Sequence, residues 1–346
     1  MNNHHRTDSK RAVRHRHWGG LAALALMLLA VVPTVAQAQQ QAVVNRQRSF
    51  AKTVPAGNYS GIAWLGANRY AVVNDKSPTA GFYLMTIDID SLTGDVLQAR
   101  MDTFLTSGQP NRDEEGICYV PQRQTVFVSG EADRQIVEYG LDGQLTGRRL
   151  QVPDIFHTAY KNGGFEALTY DTVAHRFWTT TEHTLTADGH KPTITNKESN
   201  RLRLQSFGDD LQPKEQYWYE TDVTMVEKET GTSVLGVSGM AALGDGRLVV
   251  MEREVYKTNN NIGSFVQVKL YVVDTRGQQA GTLLEKQPLA DFRTRINVTR
   301  RSFANYEGIC LGPRLTDGRR VLLLIADSQN QYRGVLRDWL RTVVMP

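Results

Sequence analysis

The 346-residue chain reads as an all-β protein on three observations. Its apolar runs are short, rich in β-branched and aromatic residues, and bounded by Gly, Asp, Asn and Pro. Apolar positions spaced for a helix are scarce. One strand–turn–strand pattern also recurs five times, each copy entering on a small-residue or Glu-Gly step and leaving on an acid. Two cysteines are too few for a disulfide-stapled scaffold, and a 40% hydrophobic composition supplies ample core.

The first 20 residues hold five of the 40 basic side chains and one of the 36 acids. No charge follows through residues 21–38, where an apolar run at 21–32 ends at Pro33 and Ala36-Gln37-Ala38 offers a signal-peptidase site. That run is too short to span ~30 Å of hydrocarbon. Residues 1–38 are therefore expected to be a signal peptide, and 39–346 a single secreted or periplasmic domain without stable membrane insertion after cleavage. The remainder carries 35 basic and 35 acidic residues, so it presents no general electrostatic footprint for nucleic acid.

The first repeat runs through Ser60-Gly61-Ile62-Ala63-Trp64-Leu65, turns at Gly66-Ala67-Asn68 and returns along 70–75. The second pairs 115–120 with 125–131, the third 165–170 with 177–182, the fourth 238–243 with 248–252 and the fifth 307–312 with 321–327. Each of the first four is followed by two more strand-like runs, for example 82–89 and 96–104. Four strands per unit at this period is the design of a β-propeller blade. The fifth unit is one strand short, and segment 43–54 can supply it and close the ring. Five blades are counted; the long stretch between the third and fourth repeats has room for a sixth, degenerate one.

Residues equidistant from a hairpin turn face each other. That rule puts Glu115 opposite Gly130-Glu131, Glu166 opposite Thr181-Glu182 and Ser238 opposite Glu252. It brings Glu307 near Asp327, and Ser60 beside Asn74-Asp75. First strands of propeller blades line the axis, so Asp75, Glu115, Glu131, Glu166, Glu182, Glu252, Glu307 and Asp327 are expected at one mouth. Crowded carboxylates need a trapped proton, a cationic side chain or a metal. Arg112 and Arg253 are the nearest basic residues in sequence, and hard oxygens from several loops suit Ca²⁺.

Other patterns carry less. His157, His175, His183 and His190 match no zinc spacing. The run 236–240 lacks a nucleophile elbow's second glycine and precedes a strand, which excludes a serine hydrolase of that kind. Asp88 to Asp95 reads as a hairpin turn, with Leu92 at what would be a calcium-ligand position. Cys118 and Cys310 occupy the same place in two non-neighbouring repeats and read as packed thiols.

The phrases Glu115-Gly116-Ile117, Phe165-Glu166-Ala167-Leu168-Thr169, Val237-Ser238-Gly239-Met240, Met251-Glu252-Arg253, Asn305-Tyr306-Glu307-Gly308-Ile309 and Ala326-Asp327-Ser328 resemble the phytase-like family, described as carrying the esterase-like activity of phytase. The resemblance runs from about Ser60 to Tyr332. It implies an exported phosphoesterase or phosphodiesterase acting on a small phosphoester, with Glu115, Glu166, Glu252, Glu307 and Asp327 as the positions to carry over. In that reading Glu115, Glu166, Glu307 and Arg253 serve catalysis, while Asp75, Glu131, Glu182, Glu252 and Asp327 hold a divalent metal, Ca²⁺ by preference. Two alternatives stand beside it: a ligand-binding propeller with structural calcium, and a lactonase-like metal hydrolase.

Overall fold

Antiparallel hairpins sort the chain into five sheets, four of them built from strands consecutive in sequence. The computed structural model describes residues 41–296, 301–332 and 336–346; the expected signal peptide lies outside the described residues. Two short strands come first, β1 (Val43–Val44) and β2 (Arg48–Ser49). Blade one is β3 (Tyr59–Gly66), β4 (Arg69–Asn74), β5 (Thr79–Ile89) and β6 (Val96–Pro110). Blade two is β7 (Glu114–Val120), β8 (Thr125–Gly130), β9 (Ile136–Gly140) and β10 (Leu145–Arg149). A single 3-10 turn, Asp154–Thr158, leads into blade three: β11 (Phe165–Asp171), β12 (Arg176–Thr181), β13 (Arg201–Gly208) and β14 (Pro213–Glu220). Blade four is β15 (Gly231–Ala242), β16 (Arg247–Thr258), β17 (Phe265–Asp274) and β18 (Lys286–Arg295).

Blade five supplies β19 (Asn305–Arg314), β20 (Arg320–Asp327) and β21 (Trp339–Val344) from the chain's end. Its outer edge is completed from the other terminus, with Val43 paired to Val344 and Arg48 to Leu340. The molecule is thus a five-bladed β-propeller closed by an N-terminal strand. The stretch between the third and fourth repeats holds β13, β14 and strandless loops, so no sixth blade exists among the described residues.

The five largest apolar clusters each fill one seam between neighbouring blades. Met85 and Tyr70 of blade one meet Leu323 and Ile325 of blade five, and Phe127 of blade two meets Phe177 of blade three. Phe82 faces Tyr139, Leu204 meets Val250, and Val266 meets Leu324 in the remaining three. Around the axis the first strands β3, β7, β11, β15 and β19 each touch both neighbours. Glycine permits this approach. A Cβ on Gly308 would sit 2.9 Å from the Ser60 carbonyl oxygen, and one on Gly61 would overlap the Glu115 carbonyl. Gly116 and Gly239 meet Leu168 and Glu307 in the same way, while blade three carries Ala167 at the corresponding place.

Every first strand also carries a β-bulge at one position. In blade one the register jumps from Tyr59–Asn74 to Ile62–Val72, and in blade two from Glu114–Gly130 to Ile117–Val128. The later blades step from Phe165–Thr181 to Ala167–Thr180, Val237–Glu252 to Gly239–Met251, and Tyr306–Ala326 to Gly308–Ile325. The extra residue bends the strand and re-aims its side chain. Ser60, Glu115, Glu166, Ser238 and Glu307 stand at these bulges. Gly61→Ala is expected to lower stability by roughly 1–3 kcal/mol through overpacking. That loss should appear as a lower urea midpoint at unchanged denaturant slope.

Candidate functional site

The bulge sets one rung of side chains at the mouth, and the register sets a second. One residue past the last pair before each bulge stand Asp75, Glu131, Glu182, Arg253 and Asp327. In four blades this position is acidic, and in blade four it is Arg253. Glu252, read from sequence as the blade-four acid, is its neighbour and points the other way, because successive strand residues alternate in direction. Its carboxylate accepts from Tyr219 Oη at 2.6 Å, Lys286 Nζ at 2.7 Å and the Asp222 amide at 2.9 Å. The structure therefore brings seven of the eight expected carboxylates together and leaves Glu252 in a separate network of blades three and four.

Arg253 ties three blades together at the mouth. Its guanidinium pairs with Glu182 at 2.5 Å and with Glu307, and also reaches Asn305 Oδ1 at 3.2 Å. Asn305 in turn donates to Glu307 at 2.7 Å. His183, fully enclosed, sets Nε2 3.0 Å from Glu182 Oε2 without hydrogen-bond alignment. Glu131 accepts the amides of Gly163 and, at 2.9 Å, Gly164, so it ties down the loop before β11. Arg112 turns away, to Asp133 at 3.0 Å.

Sequence reasoning missed Asp113 and Lys76. One oxygen each from Asp75, Asp113 and Glu115 lie within 4.8 Å of one another. The Lys76 ammonium bridges Asp75 at 2.7 Å and Asp113 at 2.5 Å. The acidic run Asp113-Glu114-Glu115 was the available signal. Within it the side chains diverge: Glu114 is wholly buried against Tyr139 and Gly81, and burial pushes its carboxyl up to about 7.

Burial raises the carboxyl of Glu115 well above the ordinary range, and the charges of Glu166, Glu307, Asp75 and Glu131 raise it further. Glu166 is raised in the same way, by burial and then by Glu182 and Glu307. Asp327 is pushed up to about 8 by burial and Glu307. Glu182 goes the other way: His183 and Arg253 outweigh its burial and hold it low. Among the described residues Arg253 and Lys76, with the His183 ring beside Glu182, serve eight carboxylates. The excess must carry protons or a cation.

The donor set fits a hard divalent ion. Asp75 Oδ1 is buried without a hydrogen-bond partner among the described residues, and the cluster offers only carboxylate oxygens. Glu115 and Glu166 also present carboxylates with no hydrogen-bond or ion-pair partner there.

Fold and site together define a five-bladed propeller with an acidic axial mouth able to bind a metal ion. The family model for phytase-like proteins, described as esterase-like activity of phytase, matches residues 54–329, and the chain belongs to that family. Among solved structures, an endo-arabinase from Bacteroides thetaiotaomicron is similar at 11% identity and a TM-score of 0.45, covering 85% of this chain and 96% of its own. A DUF4221 family member from Bacteroides vulgatus is similar at 9% and 0.43, covering 89% and 99%. A streptogramin B lyase is similar at 10% and 0.37, covering 88% and 98%. No curated protein matches the chain.

Two outcomes follow from these pairings. Arg253→Met leaves the buried Glu182 and the half-buried Glu307 without the guanidinium they share, and is expected to cost ~3–5 kcal/mol in urea denaturation. Asp222 concerns the separate network. Burial opposes its charge, yet Lys269, Lys286 and Tyr271 outweigh that and hold its carboxyl below the ordinary 3.8. A depressed carboxyl stabilises the fold above its unfolded pKa and loses that contribution as pH falls. The stability gap between the native protein and Asp222→Asn should therefore stay level above about pH 5 and shrink as the pH falls through 3.8 and below.

Proposed function

We propose that this protein is an exported, metal-dependent hydrolase of small phosphoric esters, with Ca²⁺ held by Asp75, Asp113 and Glu115. The observation that carries the reading is the three-carboxylate cluster with its orphaned Asp75 oxygen, set beside a mouth of further acids. Membership of the phytase-like family supports the ester chemistry, and the basic-then-apolar sequence of residues 1–38, ending in Ala36-Gln37-Ala38, supports export. No helix among the described residues is long and apolar enough to cross a membrane.

When bound, the ion would neutralise an anionic ester and polarise its oxygen. The chain's own residues supply the rest. Glu166 has no hydrogen-bond or ion-pair partner among the described residues; ionised beside a bound cation, it would take a proton from water attacking phosphorus while the ester P–O bond breaks and the leaving oxygen is protonated from solvent. Glu307 is held by Arg253 and Asn305, which fixes its carboxylate against the mouth. Arg253 acts as a positioning residue, since both its terminal nitrogens are committed to Glu182, Glu307 and Asn305. Lys76 pairs with Asp75 and Asp113, and its ammonium is more than half exposed, so a cation held by those carboxylates would compete with it and leave it able to meet the ester's charge.

Metal analysis of the purified protein, with a screen of phosphomonoesters, phosphodiesters and lactones with and without chelator, tests the reading. Calcium should raise the melting temperature of the chelated protein, and Asp75→Asn should abolish that rise together with turnover. Glu166→Gln should keep the thermal shift and lower turnover by about 10²–10⁴-fold. Phosphoester turnover that survives chelation overturns the proposal, and a preference for lactones reassigns the substrate. A calcium-dependent melting temperature without cleavage of any compound supports the binding-propeller alternative, which Glu131's purely architectural pairing favours.

A further inference from the structure

The opposite end of the axis has a chemistry of its own. A cavity of about 560 Å³ opens among the turn-proximal ends of β3, β7, β11 and β19 and the turn after β15. Its inner wall includes Ile62, Ile117, Leu168 and Ile309. Each lies two residues beyond the bulge position of its strand, so a branched aliphatic layer separates the cavity from the acidic mouth. Not one lining residue is Asp, Glu, Lys, Arg or His. In a chain that is 22% charged, a charge-free wall of this extent is a distinct chemical environment.

The polar groups on that wall divide in two. Trp64 Nε1 donates to Ala67 O at 2.8 Å, Gln124 donates to Pro121 O at 2.9 Å, and Tyr170 Oη donates to Asp209 at 2.8 Å. Thr169 Oγ1 accepts the Ala242 amide at 2.9 Å, whereas the half-buried Tyr119 hydroxyl, the Thr172 hydroxyl and the exposed Gln122 side-chain amide have no partner among the described residues. A cavity in the size range of small-molecule sites, mostly apolar with a few polar groups along its rim, has the character of a ligand site. A net charge on that ligand would lose its hydration against a wall that cannot replace it.

We propose that this cavity is a second binding site, for an uncharged aromatic or alicyclic small molecule that carries one hydrogen-bonding group. Its ring system lies against Trp64 and the aliphatic layer, and its polar group meets Tyr119 and Gln122. The site is independent of the acidic mouth and of any metal there.

Titration of the full-length mature protein with N-phenyl-1-naphthylamine, a neutral aromatic probe, tests it. Saturable binding at one site is expected, with energy transfer from tryptophan, and neutral aromatic alcohols should compete. The anionic counterpart 1-anilinonaphthalene-8-sulfonate should bind at least tenfold more weakly. Tyr119→Phe keeps the wall's shape and should weaken competition by a phenol roughly 2- to 10-fold. Leu311→Arg places a charge on the half-buried rim and should abolish probe binding, while calcium still shifts the melting temperature. Probe binding that is absent, indifferent to the sulfonate or unchanged in both variants overturns the proposal. So does a dimer in sedimentation velocity that shuts the probe out, since the cavity would then be an interface.

Discussion

The structure depends on the contact of five first strands around one axis. Side chains cannot mediate that contact, because the backbones themselves approach until carbonyl oxygen meets Cα. Gly61, Gly116, Gly239 and Gly308 are the positions where this happens, and each would place a Cβ into a neighbouring strand. Ser60 Oγ donates to Glu114 O at 2.8 Å across one seam, and Ser238 Oγ to Tyr306 O at 3.3 Å across another. Such close packing leaves each strand little freedom at the axis. The bulges sit at the same place, where a strand must bend to leave the crowded centre.

The acidic mouth follows from this geometry. Each bulge adds a residue on the first strand, and each second strand ends beside it, so every blade contributes two side chains to one opening. Burial then does most of the electrostatic work. For Glu115, Glu166, Glu307 and Asp327 it is the largest influence raising the carboxyl, ahead of any neighbouring charge. Arg253 interrupts the pattern in blade four and is the main internal counter-charge. Its pairing with Glu182 and Glu307 links blades three, four and five through one side chain.

The blades were legible in sequence because hairpin, turn chemistry and entry step repeat together, and ring closure was legible because the last unit lacked a strand. The convergence of acids was legible for the same reason. The bulges were not. An inserted residue leaves no compositional mark, and pairing counted from the turn drifts by one residue beyond it. In blade four that drift exchanges Glu252 for Arg253 and turns a carboxylate from the mouth toward Tyr219 and Lys286. Glu131 illustrates a different limit. Its strand position was legible, but whether a carboxylate faces a ligand or caps the amides of Gly163 and Gly164 depends on a loop from the next blade. Asp113 was missed because it precedes the strand, outside the repeat that drew attention to Glu115.

The same repeat that concentrates charge at one end of the axis excludes it from the other. Strand residues alternate in direction, and past each bulge the first strand turns apolar: Ile62, Ile117, Leu168, Met240 and Ile309 hold equivalent places. This layer is a dielectric boundary. It denies the carboxylates solvation from beneath, which raises their proton affinity and strengthens their demand for a cation. It also parts the carboxylates from the lower cavity, whose lining carries no charged side chain a few residues away from eight acids. One structural element, the ring of inner strands, thereby sets two opposed chemistries along a single axis.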